Sequence, residues 1–174
     1  MGLVDGAKIA AKEAVMCIHS STKEEICAPG DKSILIEKLK DGIAAIPPIV
    51  VGRNLLIDNL GTLTFLHWKH YNQDQAALEE AITIGEMAIP AALDEERKAI
   101  RLMTISACQE VKYEEYSHSL VDFQCAISRI QQVIITRSET YRSDYLKFLH
   151  GLLVLRFQLT HHVVDLERAV RITE

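Results

Sequence analysis

His67 and His70, three residues apart, form the pair in this chain best spaced to share a metal ion. On a helix such residues lie on one face, a geometry that zinc can use. Zinc takes three or four protein ligands, and no third stands at a recognisable spacing; no His-Glu-x-x-His string occurs. The pair therefore reads as exposed or facing a helix joint, and His161-His162 as a solvated joint. Thiol chemistry needs a thiolate beside a base. Cys108 and Cys125 both fall in apolar stretches of helical period, where cysteine behaves as a small buried hydrophobe. Glu79-Glu80 and Glu95-Glu96 are paired only in sequence, because adjacent helical residues point about 100° apart. The chain has no phosphate-cradling GxxxxGK[ST], no GxGxxG and no GxSxG. Trp68, Tyr113 and Tyr116 read as packing residues rather than a ligand cage. No catalytic residue, metal or cofactor is assigned.

Composition narrows the partners. The chain has 174 residues, 48% hydrophobic and 25% charged, with net charge −5. These are values of a folded globular chain, and the acidic balance argues against nucleic acid and anionic membrane. The longest apolar candidate, Ile43 to Val51, is broken by Pro47-Pro48 and falls short of a membrane span. The N-terminus lacks the basic and apolar regions of a secretory signal, and Gly2 is followed by Gly6 where myristoylation wants Ser or Thr. Cys17, Cys27, Cys108 and Cys125 include no Cys-x-x-Cys, so they read as reduced thiols and the expected location is the cytoplasm.

The elements that would position any site come from an internal duplication. A shift of 45 residues sets Trp68 on Tyr113, Tyr71 on Tyr116, Leu78 on Phe123, Ala81 on Ala126 and Ile82 on Ile127. A shift of 43 sets Val121–Ile127 on Val164–Val170. An apolar-x-x-Ala-aliphatic unit thus occurs three times, each after an apolar segment spaced by threes and fours, which suits a helix face. The spacing predicts helix A 53–71 and B 74–89, A 95–116 and B 119–135, A 141–159 and B 163–174. Asp74 and Ser119 suit N-caps, with Ser119 and Asp122 a rough capping box; Pro90 and 136–140 separate the repeats. Residues 1–50 are less regular: a leftover B-type helix over 4–15, a loop over 20–30 closed by Pro29-Gly30, and a helix over 32–46 capped by Asp31. The third B helix stops about two turns short of the others, as though cut or shortened.

The strings Asn59-Leu60-Gly61, Leu78-Glu79-Glu80-Ala81-Ile82, Arg156-Phe157-Gln158-Leu159-Thr160 and Asp165-Leu166-Glu167-Arg168-Ala169-Val170 resemble the long tetratricopeptide-like (TPR-like) repeats of fungal proteins that often precede a caspase-like CHAT domain. The likeness covers about 53–174, as repeats 53–92, 95–137 and 141–174. The third repeat matches best from Arg156 on, although His150 and His161 stand where the pattern has glycine; the second, with Ile105-Ser106 and Lys112-Tyr113, diverges most. The resemblance implies an all-α, right-handed superhelix of antiparallel helix pairs whose A helices line a concave side. Positions carried over from it are Asp58, Thr62 and Lys69, then Met103, Glu110 and Glu114, then Asp144, Lys147 and Gln158. The signature around a caspase-like cysteine is absent, so a CHAT domain is not expected within the chain.

Independently of that likeness, Gly61, Ala81 and Ala88 are small enough to let paired helices approach closely, and a helix pair buries its apolar face only by stacking on the next. The expected function is a non-catalytic interaction module or scaffold for a protein or peptide, within a larger protein on one reading. The alternatives are a structural spacer, self-associating through Val163, Leu166, Val170 and Ile172 of the last helix, and a cryptic enzyme using a thiol or histidine.

Overall fold

The structure, a computed structural model, describes residues 29–46, 51–71, 73–135 and 142–173. The expected helix over 4–15, most of the loop after it, Cys17, Cys27, Pro47-Pro48 and the breaker 136–140 lie outside the described residues. Seven α-helices are described: α1 Pro29–Ala45, α2 Val51–His70, α3 Gln75–Ala88, α4 Glu95–Val111, α5 Leu120–Ile135, α6 Arg142–Thr160 and α7 Val163–Thr173. A π-helical turn, Lys112–Ser117, prolongs α4. No strand occurs among the described residues, and the chain is all-α, as the periodicity predicts. One start differs from expectation. Helix α1 begins at Pro29, not after Asp31. Proline costs nothing at a first helical position, where the N–H it lacks would be unpaired anyway.

The chain divides into two compact units after Leu93. In the first, α1 packs on α2 and α2 on α3. Its core joins Leu35, Ile36, Leu39 and Ile43 to Leu56, Ile57, Leu60 and Leu63, closed by Ile84, Ala88 and Ala91. Asp74 caps α3 as expected, its Oδ1 accepting the Ala77 N–H at 2.7 Å. Gly61 is buried where α2 crosses α3; a Cβ there would lie 3.1 Å from the Cβ of Ala88. The small residues thus set how near the two helices come.

In the second unit α4 packs on α5, α5 on α6 and α6 on α7. Asp94 caps α4 through the Arg97 N–H at 2.7 Å. Phe123, Ala126, Ile127, Ile130 and Val133 of α5 are fully buried, as are Leu102 of α4, Leu152 and Leu153 of α6 and Ala169 of α7. Burying each large side chain contributes about 1.5–3 kcal/mol against leaving it exposed.

The two helix pairs of this unit use the same ties at matching positions. Ser106 Oγ donates to the Ala126 carbonyl at 2.7 Å, and His150 Nδ1 lies 3.0 Å from the Ala169 carbonyl oxygen. Lys112 Nζ lies 3.5 Å from Asp122 Oδ1; at the matching place Arg156 Nε donates to Asp165 Oδ2 at 2.8 Å. Tyr113 meets His118 edge-on, and Phe157 meets His161 edge-on, with interplanar angles of 89° in both. His118 and His161 are the non-glycine residues with positive φ among those described, 48° and 57°. A residue held there satisfies the helix end at the cost of left-handed backbone.

The duplicated stretches differ by one residue, and the π-helical turn absorbs it. Lys112 to Asp122 spans one residue more than Arg156 to Asp165. The His118 N–H reaches back five residues to Tyr113 O at 3.0 Å, whereas the His161 N–H reaches back four to Phe157 O at 2.7 Å. A π turn is the low-cost way to insert one residue without rotating the next helix. The capping box expected at Ser119 does not form. Ser119 Oγ accepts from the Val121 N–H, its own N–H goes to Ser117 Oγ, and Asp122 turns to Lys112.

Candidate functional site

The nine partner-contact positions separate by burial. Asp58 is fully buried on α2, which corrects its assignment to a contact face: a carboxylate with no exposed surface cannot touch a partner. Thr62 is half-buried, and its Oγ1 donates to the Asp58 carbonyl at 3.3 Å. Met103 and Glu110 are half-buried, while Lys69, Glu114, Asp144, Lys147 and Gln158 are exposed. Matching positions behave in two ways. Asp58, Met103 and Lys147 correspond, yet run from buried to exposed. Lys69, Glu114 and Gln158 also correspond, and all three face solvent. The part of the contact set that stays open at all three matching positions is therefore the last turn of α2, the π-helical turn after α4 and the last turn of α6. On α2, Lys69 Nζ sits 5.9 Å from the Phe65 ring centre; at the opposite end of α6, Lys147 pairs with Asp144 at 3.7 Å.

Glu110 is the titrating member of this set. Burial pushes its carboxyl up to about 7, and the charge of Glu114 one turn on adds to the effect. Between pH 4.5 and 7 the native state holds a proton that the unfolded chain has released. Stability therefore falls as pH rises through that window. Melting temperatures of wild type and Glu110→Gln, taken from pH 4.5 to 7.5, are expected to converge at the acid end. At pH 7.5 the variant should be the more stable.

The thiols differ from expectation in one case. Cys108 is buried, as its apolar stretch predicts, and desolvation pushes its thiol up to about 12. Cys125 is exposed instead, because its side of α5 faces away from α4 and α6. Iodoacetamide at pH 7.5, read by peptide mass spectrometry, is expected to label Cys125 and to leave Cys108 unmodified until the chain is denatured.

His67 is engaged across α1 and α2, its Nε2 lying 3.0 Å from Ser33 Oγ, while His70 is exposed. Among the described residues no group of three or more His, Cys, Asp and Glu is placed to hold a metal ion. Trp68 is buried against Phe65, at 6.0 Å between ring centres, and Tyr113 lies 4.9 Å from Phe123. The first contact lies within α2; the second joins the π-helical turn to α5.

Open grooves occur among the described residues of both units. One, of about 460 Å³ in the first unit, is lined by Ile43, Ile57, Leu60, Ile84 and Met87, and Lys40 and Glu80 pair at its edge. The other, of about 350 Å³ in the second unit, lies between Leu146, Lys147, His150 and Ile172.

Reading the sequence missed one group, the clamp at Arg156. Its guanidinium holds Asp165 of α7 through two nitrogens and donates to Gln124 Oε1 of α5. Both residues stand in the repeated strings, so the signal was present; that they meet follows only from folding. Among the described residues no helix is long and apolar enough to cross a membrane. Comparison with protein-family models, curated proteins and solved structures finds no match to the chain.

Proposed function

We propose that the chain is a non-catalytic module of TPR-like helical repeats that binds a protein or peptide through the exposed side chains of its A helices. The observation that carries this reading is the recurrence of the same A-to-B ties in two successive helix pairs, with Lys69, Glu114 and Gln158 left exposed at matching positions. Recurring ties hold helix faces in a fixed relation, and a rigid frame lowers the ordering cost of binding. Thr62, Lys69, Met103, Glu110, Glu114, Asp144, Lys147 and Gln158 remain the contact residues on this reading; Asp58 does not. The thiol-enzyme alternative draws no support from Cys108, which stays protonated and buried at neutral pH.

The test is selection of peptides from a random display library on the folded chain. The selected peptide is then titrated into wild type, Glu114→Lys and Lys69→Glu. A loss of about tenfold or more in one of these variants, with its melting temperature unchanged, supports the reading. Binding indifferent to both substitutions overturns the A-helix assignment. The spacer or self-stacking alternative is favoured by one observation, the exposed apolar residues of α7.

A further inference from the structure

The groove of the first unit has an apolar body and two cations that are not alike. Ile57 and Leu60 of α2 line it together with Ile43 and Ala44 of α1 and Ile84 and Met87 of α3. The isoleucines and the leucine are buried, whereas Met87 is 50% exposed. Methionine is flexible and polarizable, and it adapts to apolar partners of varied shape. From Glu80 to Met87 the α3 wall runs seven residues, about 10 Å of helix. The volume, about 460 Å³, falls in the range of small-molecule sites, roughly 300–1,000 Å³.

Lys40 is already neutralised. Its Nζ lies 2.7 Å from Glu37 Oε1 and pairs with Glu80, which ties α1 to α3 at the groove's edge. Arg53 is half-buried, and its bond among the described residues is from Nε to the Ile43 carbonyl at 3.3 Å. A guanidinium carries five N–H donors, so both terminal nitrogens are left over, and no carboxylate of the described residues pairs with them. A cation partly withdrawn from water and lacking a counter-charge favours an anion beside it.

We propose that this groove binds the anion of an aliphatic monocarboxylic acid of medium length, its carboxylate on the Arg53 guanidinium and its chain along Ile57, Leu60, Ile84 and Met87. A neutral aliphatic ligand would leave Arg53 unpaired. An aliphatic amine would be repelled by it, and a highly charged anion such as a nucleotide would strand polar groups on apolar walls. The site is separate from the A-helix contact residues and does not rest on the repeat reading.

The probe is decanoate below its micelle concentration, with decanol as the neutral comparison. The protein carries 13C-methyl methionine, and affinities are taken by calorimetry. Decanoate is expected to shift the Met87 methyl resonance, assigned by Met87→Leu, and to raise the melting temperature, as any ligand specific to the native state does. Wild type should bind decanoate about tenfold or more tighter than decanol, the difference one charge-assisted bond makes. Arg53→Gln should erase that preference, while Arg53→Lys, which keeps the charge, should hold part of it. Met87→Glu, at an exposed position, should weaken decanoate by about tenfold or more, since it sets a carboxylate against the chain. Melting temperatures without ligand show that each variant is folded.

An unmoved Met87 methyl overturns the proposal. So does decanol binding wild type as tightly as decanoate, or Arg53→Gln keeping the wild-type preference. A melting temperature that falls with decanoate overturns it as well, because the acid then acts as a detergent on the unfolded chain. Each of these outcomes leaves the A-helix reading intact, because that reading is judged by Glu114→Lys and Lys69→Glu.

Discussion

Asp165→Ala is expected to cost the second unit about 3–5 kcal/mol, the loss seen when one member of a buried ion pair is removed. The Asp165 side chain is 4% exposed and that of Arg156 16%, so neither charge can fall back on water when its partner goes. Arg156 Nε donates to Oδ2 at 2.8 Å, a second nitrogen reaches Oδ1, and the third goes to Gln124. One guanidinium thus holds α5, α6 and α7 together, and Arg156→Lys should fail to rescue it, since an ammonium lacks the planar fork. Because much of the loss is the stranded charge, Arg156→Met/Asp165→Leu should be less damaging than either single change. Chemical denaturation followed by circular dichroism measures all of these variants. The matching pair, Lys112 and Asp122, sets the scale: 3.5 Å apart and about a quarter exposed, it should cost about 1 kcal/mol or less when Asp122 becomes alanine. Equal losses at Asp122 and Asp165 would overturn the distinction between clamp and surface pair.

Gly61→Leu is expected to destabilise the first unit by about 3 kcal/mol, at the upper end of overpacking. A Cβ on Gly61 already presses on Ala88 Cβ at 3.1 Å, with Ile84 O and Gly85 Cα at 3.8 and 3.9 Å behind it. Three of these neighbours are helix backbone or one bond from it, so relief requires α3 to move as a body. Gly61→Ala should come out within about 1 kcal/mol of wild type, because the gain in helix propensity opposes the few tenths of an ångström that α3 must yield. Gly151 provides the contrast. It is exposed on α6 with nothing within 4 Å of an added Cβ, and Gly151→Ala should stabilise by about 0.5–1 kcal/mol. Thermal melts of the three variants check the order; a Gly61→Leu protein as stable as wild type would show that α2 and α3 are not held at contact distance.

Much of this protein was legible in its residue order. Helices and their joints follow from apolar spacing by threes and fours and from Asp74, signals carried within a few residues of chain. Gly61 and Ala88 were readable as a close crossing for the same reason: size is a property of the residue itself. Exposure is not. Cys125 and Cys108 sit in equally apolar stretches, yet one faces solvent, because burial depends on which helices lie alongside. Asp58, Met103 and Lys147 occupy one repeat position and span the range from buried to exposed. Likewise Leu166 and Phe123 share a position, and folding alone leaves the first partly open and closes the second, since a helix has one set of faces and its neighbours decide which of them meet water.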